Sequence, residues 1–151
     1  MPRQSETTAG APAAARNVDV VERWIGAFDG RWPTPDQIDA LATPDLEFVE
    51  HPNLVNPSGS VRRATATHAA VEAGRALLAH QRYAIAGHLL AGDDTVVTRF
   101  RWEGELAIDA GPWVAGTRLA ADCCAIYRIE GDRIAHIEQF DCYEPPVPPG
   151  S

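Results

Sequence analysis

The amino-acid sequence predicts an α+β domain in which helices pack on one face of a curved, mostly antiparallel sheet. Three observations lead there. Apolar residues recur at helical spacing only in the first half of the chain. From residue 82 onward, long β-branched and aromatic runs alternate with polar residues and are divided by the turns "GDD", "DAGP" and "EGD". Helices precede strands without βαβ alternation, which disfavours a doubly wound parallel sheet.

Residues 1–16, rich in Pro, Ala, Ser and Thr and lacking periodicity, read as a disordered arm before a domain at 17–144. Val21, Trp24, Ile25 and Phe28 form one face of a first helix, which "DG" at 29–30 stops. Thr34, Pro35 and Gln37 supply an N-cap, a first-turn proline and a capping-box partner for a short second helix with Ile38 and Leu41 inward, ending before Pro44. "DLEFVEH" then alternates Leu46 and Phe48 against Glu47, Val49 and His51 as a strand, and "PNLVNPSGS" reads as loop. The alanine-rich stretch 66–80 predicts a third helix with Val71, Leu77 and Leu78 turned inward. Four strands follow as a meander, and "EPPVPPGS" places a Pro-rich tail at 145–151.

Composition narrows the function. The 151 residues carry a net charge of −8, which disfavours nucleic acid, since phosphate binding needs clustered positive charge. No run reaches the roughly 20 apolar residues of a membrane span, and the N-terminus lacks a signal-peptide core, so a cytoplasmic protein is expected. The three cysteines are odd in number. Cys123 and Cys124 are adjacent on a strand and point to opposite faces, so neither a disulfide framework nor a metal corner is expected.

Three stretches, "RWIGAFDG" on the first helix, "EFVEHP" on the first strand and "RIEGDRIAHIEQFD" on the last hairpin, resemble the nuclear transport factor 2 superfamily over residues 18–143. More narrowly, they resemble its SnoaL-like polyketide cyclase and ketosteroid isomerase branch. The resemblance implies a cone-shaped fold with an apolar pocket between helices and concave sheet, and a homodimer formed through the convex face. It places Trp24 at an oxyanion-donor position, His51 at the position of the general base, Ala125 where a second oxyanion donor would stand, and Gln139 near the acid-base aspartate of the cyclases. Trp, Ala and Gln at 24, 125 and 139 depart from that pattern, so the steroid-isomerase mechanism does not transfer whole.

These readings converge on a cofactor-independent enzyme, free of metal, using acid-base chemistry on an apolar or polycyclic small molecule: a cyclase, isomerase or dehydratase of natural-product biosynthesis. His51 is expected as the acid-base and Asp141 as its orienting carboxylate. Trp24, Phe28, Asn53, Tyr83, Thr98, Phe100, Trp102, Cys123, Gln139 and Tyr143 are expected to bind substrate. Alternation puts Val96, Thr98, Phe100 and Trp102 inward on their strand, and Ile137, Gln139 and Asp141 on one face of the last. Blander roles stand beside these: a strand-end cap for His51, a surface charge for Asp141, turn formation for Asn53, and core packing for the aromatics. Glu50 is expected to face away, Arg62 and Arg63 to be solvated loop charges, and His136 with Glu138 to serve a dimer contact or chemistry. The rivals to the cyclase reading are a non-catalytic binding or dimerisation domain and an epoxide hydrolase-like enzyme.

Overall fold

A computed structural model describes residues 10–151. The elements run α1 (Gly10–Phe28), α2 (Pro35–Leu41), β1 (Ala42–Glu50), β2 (Ser60–Arg63), α3 (Ala64–Leu77), β3 (Leu78–Ala91), β4 (Thr95–Leu106), β5 (Arg118–Glu130) and β6 (Arg133–Tyr143). The strands form one sheet in the order β2-β1-β6-β5-β4-β3. Every neighbouring pair is antiparallel except β1 with β6. This is the expected α+β architecture, with three helices on one face of the sheet.

The core lies between the helices and that face. Val20, Val21, Trp24 and Ile25 of α1, Ile38 of α2 and Val71 of α3 meet Leu46 and Phe48 of β1 and the inward residues of β4, β5 and β6. On β5 the inward set is Leu119, Ala121, Cys123, Ala125, Tyr127 and Ile129, all buried, while Cys124 lies on the opposite face. The helix α2 forms as its local signals require: Gln37 N–H donates to Thr34 Oγ1 at 3.3 Å and Thr34 N–H to Gln37 Oε1 at 2.9 Å.

Four boundaries differ from the sequence reading. Residues 1–9 of the expected arm lie outside the described residues, and 10–16 belong to α1, as their alanine content permits. The helix is anchored by buried Asn17, whose side-chain amide donates to the Asp93 carbonyl at 2.9 Å. The helix α3 stops at Leu77 rather than residue 80, because Leu78 already pairs with Leu106 across β3 and β4. Ser60–Arg63, read as loop, pairs with β1 as an edge strand, Glu50 opposite Ser60 and Phe48 opposite Arg62. In the tail, Val147 and Arg118 exchange backbone hydrogen bonds of 2.8 and 2.9 Å, so the chain beyond β6 runs along the start of β5.

Glycine 74 has a packing reason to interrupt α3. A Cβ there would lie 2.8 Å from Cζ3 of Trp32, so only glycine lets that indole close against the helix.

Candidate functional site

Between α1, α3 and the sheet lies a cavity of about 220 Å³. Its apolar wall comprises Trp24, Ile25 and Phe28 from α1, Trp32, Val71 from α3, and Phe48, Phe100, Trp102 and Tyr127 from the sheet. Its polar groups are Glu50, Arg62, Thr67, Gln81, Tyr83, Cys123, Gln139, Asp141 and Tyr143. Strand parity explains the grouping: Phe100 and Trp102 share one face of β4, Gln139 and Asp141 one face of β6, and Phe48 and Glu50 one face of β1.

Nine of the twelve residues expected at the site therefore line one cavity: Trp24, Phe28, Tyr83, Phe100, Trp102, Cys123, Gln139, Asp141 and Tyr143. Three do not. Thr98 is fully enclosed, its hydroxyl 2.8 Å from Nδ1 of His88, and so belongs to the packing beneath α1. Asn53 shapes the loop after β1: its Oδ1 accepts from the N–H groups of Val55 and Asn56 at 3.0 and 2.9 Å, and its amide donates to the His51 carbonyl and to Glu50.

His51 is the main correction. It follows β1 with the parity of Glu47 and Val49, which sends its side chain to the face away from the cavity. There Nε2 lies 2.8 Å from Glu138 Oε1, and the ring stacks on Phe140 with centroids 4.1 Å apart and planes at 10°. The anticipated His51–Asp141 pair does not form, because the two side chains leave the sheet on opposite sides. Alternation had already placed His51 opposite Leu46 and Phe48, whereas the family likeness drew it inward.

By the same parity Glu50, expected to face away, enters the cavity. Its carboxylate oxygens are surrounded by donors: Asn56 Nδ2 at 2.7 Å, Ser60 Oγ at 3.3 Å, Arg62 at 3.3 Å and Asn53 Nδ2 at 3.4 Å. Arg62 is no solvated loop charge. It is held by Glu50 and by Ser60 at 2.9 Å, and its guanidinium lies over the Phe48 ring at 4.5 Å from the centroid. Its Nε is buried without a partner. Arg63, in contrast, is exposed and pairs with Glu47 on the outer face at 2.9 Å. His136 also reaches Glu47, at 3.5 Å.

Asp141 stands beside this cluster. Gln139 Nε2 donates to both of its carboxyl oxygens, at 3.0 and 3.2 Å. Burial raises its pKa above the ordinary aspartate value, opposed by hydrogen bonds from Cys123 and Gln139 and by the Arg62 charge, and reinforced by Glu50. Burial, with Asp141 adding to it, also pushes the hydroxyls of Tyr83 and Tyr143 and the thiol of Cys123 up. All three stay protonated at neutral pH. The tyrosines are thus neutral donors, and Cys123 is a wall rather than a nucleophile.

Sequence reasoning also passed over Gln81. Its Oε1 accepts from Trp102 Nε1 at 3.1 Å and lies 3.5 Å from the Tyr83 hydroxyl. An indole N–H can only donate, so the amide is oriented with its nitrogen elsewhere, and that buried Nε2 has no partner. No local signal marks Gln81, since the glutamine is conspicuous only once Trp102 stands beside it. Among the described residues, no group of three or more His, Cys, Asp or Glu converges as metal ligands would. No helix of the described residues is long and apolar enough to cross a membrane.

Helices over a curved sheet thus enclose a carboxyl-bearing apolar cavity. The model of the SnoaL-like domain family matches residues 21–137, and the chain belongs to that family. None of the curated proteins matches the sequence. Among solved structures, IdmH of Streptomyces antibioticus, described as a candidate polyketide cyclase, is 17% identical, with a TM-score of 0.66 over 83% of this chain and 91% of its own. A Catenulispora acidiphila protein with a ketosteroid isomerase-like fold, solved with trimethylamine, is 18% identical, with a TM-score of 0.64 over 82% and 85%. An LEH-like epoxide hydrolase of M. tuberculosis is 17% identical, with a TM-score of 0.59 over 84% and 83%. At these identities the likeness is one of fold.

Proposed function

We propose that the chain catalyses proton transfer on an oxygenated, largely apolar small molecule, in a cyclisation, isomerisation or dehydration, with Asp141 as the acid-base group. The observation that carries this is the Asp141 carboxyl itself: buried in the cavity, gripped at both oxygens by Gln139, and raised in pKa toward the range where a proton is both taken and returned. In the proposed step the carboxylate removes a proton α to a carbonyl and the resulting acid returns it elsewhere on the molecule. The electrons move through the enolate, so no redox partner is required. Negative charge developing on the carbonyl oxygen would be met by neutral hydroxyls of Tyr83 or Tyr143, useful only where they aim at that oxygen. Glu50, held in place by its donors, lies near enough to favour the protonated form of Asp141.

The test is deuterium uptake α to the carbonyl in a panel of 2-alkanones and cyclic enones in D2O, followed by proton NMR. Asp141→Asn is expected to lower the catalysed exchange by about 100-fold or more. Exchange at the wild-type rate in this variant removes Asp141 from the mechanism. Retained ligand binding with no activity in the wild-type protein favours the non-catalytic reading.

Epoxide opening is favoured by one further observation: Arg62 is bonded to Glu50 and close enough to Asp141 for its charge to act there, so two carboxyls and an arginine share the cavity. One carboxyl would take a proton from water while the other protonates the epoxide oxygen. Diol formation from a racemic epoxide, lost in both Asp141→Asn and Glu50→Gln, distinguishes this reaction. The same family reading carries a homodimer through the outward face of the sheet, where Phe140 is exposed, and light scattering of the purified protein tests it.

A further inference from the structure

A second, wholly uncharged chamber of about 590 Å³ adjoins the cavity. The two share Leu78, Trp102 and Tyr143 as walls, so they meet across one indole. Leu54 and Val55 from the loop after β1, Leu106 and Leu119 from the sheet, and Pro112 and Trp113 from the β4–β5 loop form the rest of its main lining. Its walls are built rather than loose. Ala110 and Trp113 exchange backbone bonds of 2.8 and 3.0 Å, Ala115 N–H donates to Asp109 at 2.8 Å, and Asn53 fixes the turn that carries Val55. Trp102 is held by its bond to Gln81 and by its approach to Gly104, where a Cβ would stand 2.7 Å from the indole.

Volume decides what this chamber is for. The inner cavity, at about 220 Å³, falls below the roughly 300–1,000 Å³ usual for small-molecule sites, whereas the outer chamber lies within that range. The groups able to move a proton are concentrated in the inner space. The outer lining carries no charged side chain. We infer that the substrate is elongated and amphipathic: an oxygenated head enters the inner cavity at Asp141, and an uncharged hydrocarbon portion of the same molecule fills the outer chamber, with Trp113 and Leu54 selecting its length. This rests on the proton-transfer reading only for what happens at the head. The occupancy of the outer chamber stands on the three wall residues it shares with the cavity, its volume and its lack of charge.

The experiment measures dissociation constants of 2-alkanones from 2-butanone to 2-undecanone by quenching of tryptophan fluorescence, on wild type, Trp113→Ala, Leu54→Ser and Asp141→Asn. In wild type, affinity is expected to rise about two- to fourfold per methylene once the chain passes Trp102. Trp113→Ala and Leu54→Ser, the latter at an exposed position, are expected to flatten that rise for long ketones and to leave 2-butanone unchanged. Asp141→Asn keeps the rise while losing deuterium exchange, so the two proposals fail separately. A chain-length profile that is flat in wild type, or an equal loss at every length in both lining variants, overturns the inference while exchange on 2-butanone leaves the acid-base reading standing. A change of oligomeric mass in Leu54→Ser also overturns it, making the chamber a contact between copies.

Discussion

Replacing Arg62 by leucine probes the centre of the site, because this side chain joins the edge strand β2 to Glu50 and covers Phe48. Breaking a buried ion pair by removing one partner typically costs about 3–5 kcal/mol. Here the two side chains are 24% and 17% exposed, and Glu50 keeps the donors Asn56 and Ser60. Arg62 Nε already lacks a partner, so the arginine itself bears an unrelieved desolvation cost. Both facts lower the loss. The cation–π contact with Phe48 adds about 0.5–2 kcal/mol, part of which leucine recovers by packing. The net expectation is a loss of about 2–3 kcal/mol, seen as a fall of roughly 4–12 °C in Tm for a chain of this size. Calorimetry and urea titration check it. Adding Glu50→Gln is expected to restore at least about 1 kcal/mol, since no charge is then stranded. A change below about 0.5 kcal/mol in Arg62→Leu, as for an ordinary surface residue, or strict additivity in the double variant, refutes the argument. A second readout follows from charge. Arg62 holds the Asp141 pKa down, so its removal moves the pH midpoint of any Asp141-dependent rate upward.

Three other outcomes are expected. Burial raises the Asp141 pKa in the folded state, so between the ordinary aspartate value and the raised one the native protein binds more proton than the unfolded chain. Stability therefore falls as pH rises through that window and is level above it; Asp141→Asn, whose Oδ1 still accepts from Gln139, is expected to lose this slope and to be more stable than wild type at pH 7, as urea titrations from pH 3 to 8 will show. Gly104→Ala drives a Cβ into Trp102 and loosens its bond to Gln81, at a cost of about 1–3 kcal/mol and with a changed near-UV circular dichroism spectrum; an unaltered spectrum and Tm count against the packing argument. His51→Ala removes a half-exposed contact with Glu138 and a stack on Phe140, so a loss within about 1 kcal/mol and unchanged α-proton exchange are expected; abolished exchange in a folded variant would return the histidine to the mechanism.

What was legible in the sequence was whatever neighbouring residues decide among themselves. The capping box of α2 and the turns "GDD" and "EGD" that open β4 at Thr95 and β6 at Arg133 depend on residues within a few positions of one another, and they form where the sequence places them. The inward set of β4 follows from the two-residue period of a strand. Edge strand β2 was not legible, because Ser60–Arg63 carries no apolar alternation and is a strand only through β1 beside it. The same holds for Arg62, whose surroundings are Glu50 and Phe48. His51 shows that a position in a family pattern is weaker evidence than local parity.

The sequence by itself determined the α+β class, the order of two helices, a strand, a third helix and then long strands, and which side chains share a face of each strand, since these rest on periodicity and turn chemistry over short spans. Only the tertiary structure decided which of those faces converge. The parallel pairing of β1 with β6 sets Glu50 opposite Gln139, and the antiparallel pairing of β5 with β6 sets Cys123 opposite Asp141. The first register joins residues 89 positions apart and the second residues 18 apart, beyond the reach of local preference, and together they gather Glu50, Arg62, Gln139 and Asp141 into one cavity while leaving His51 outside it.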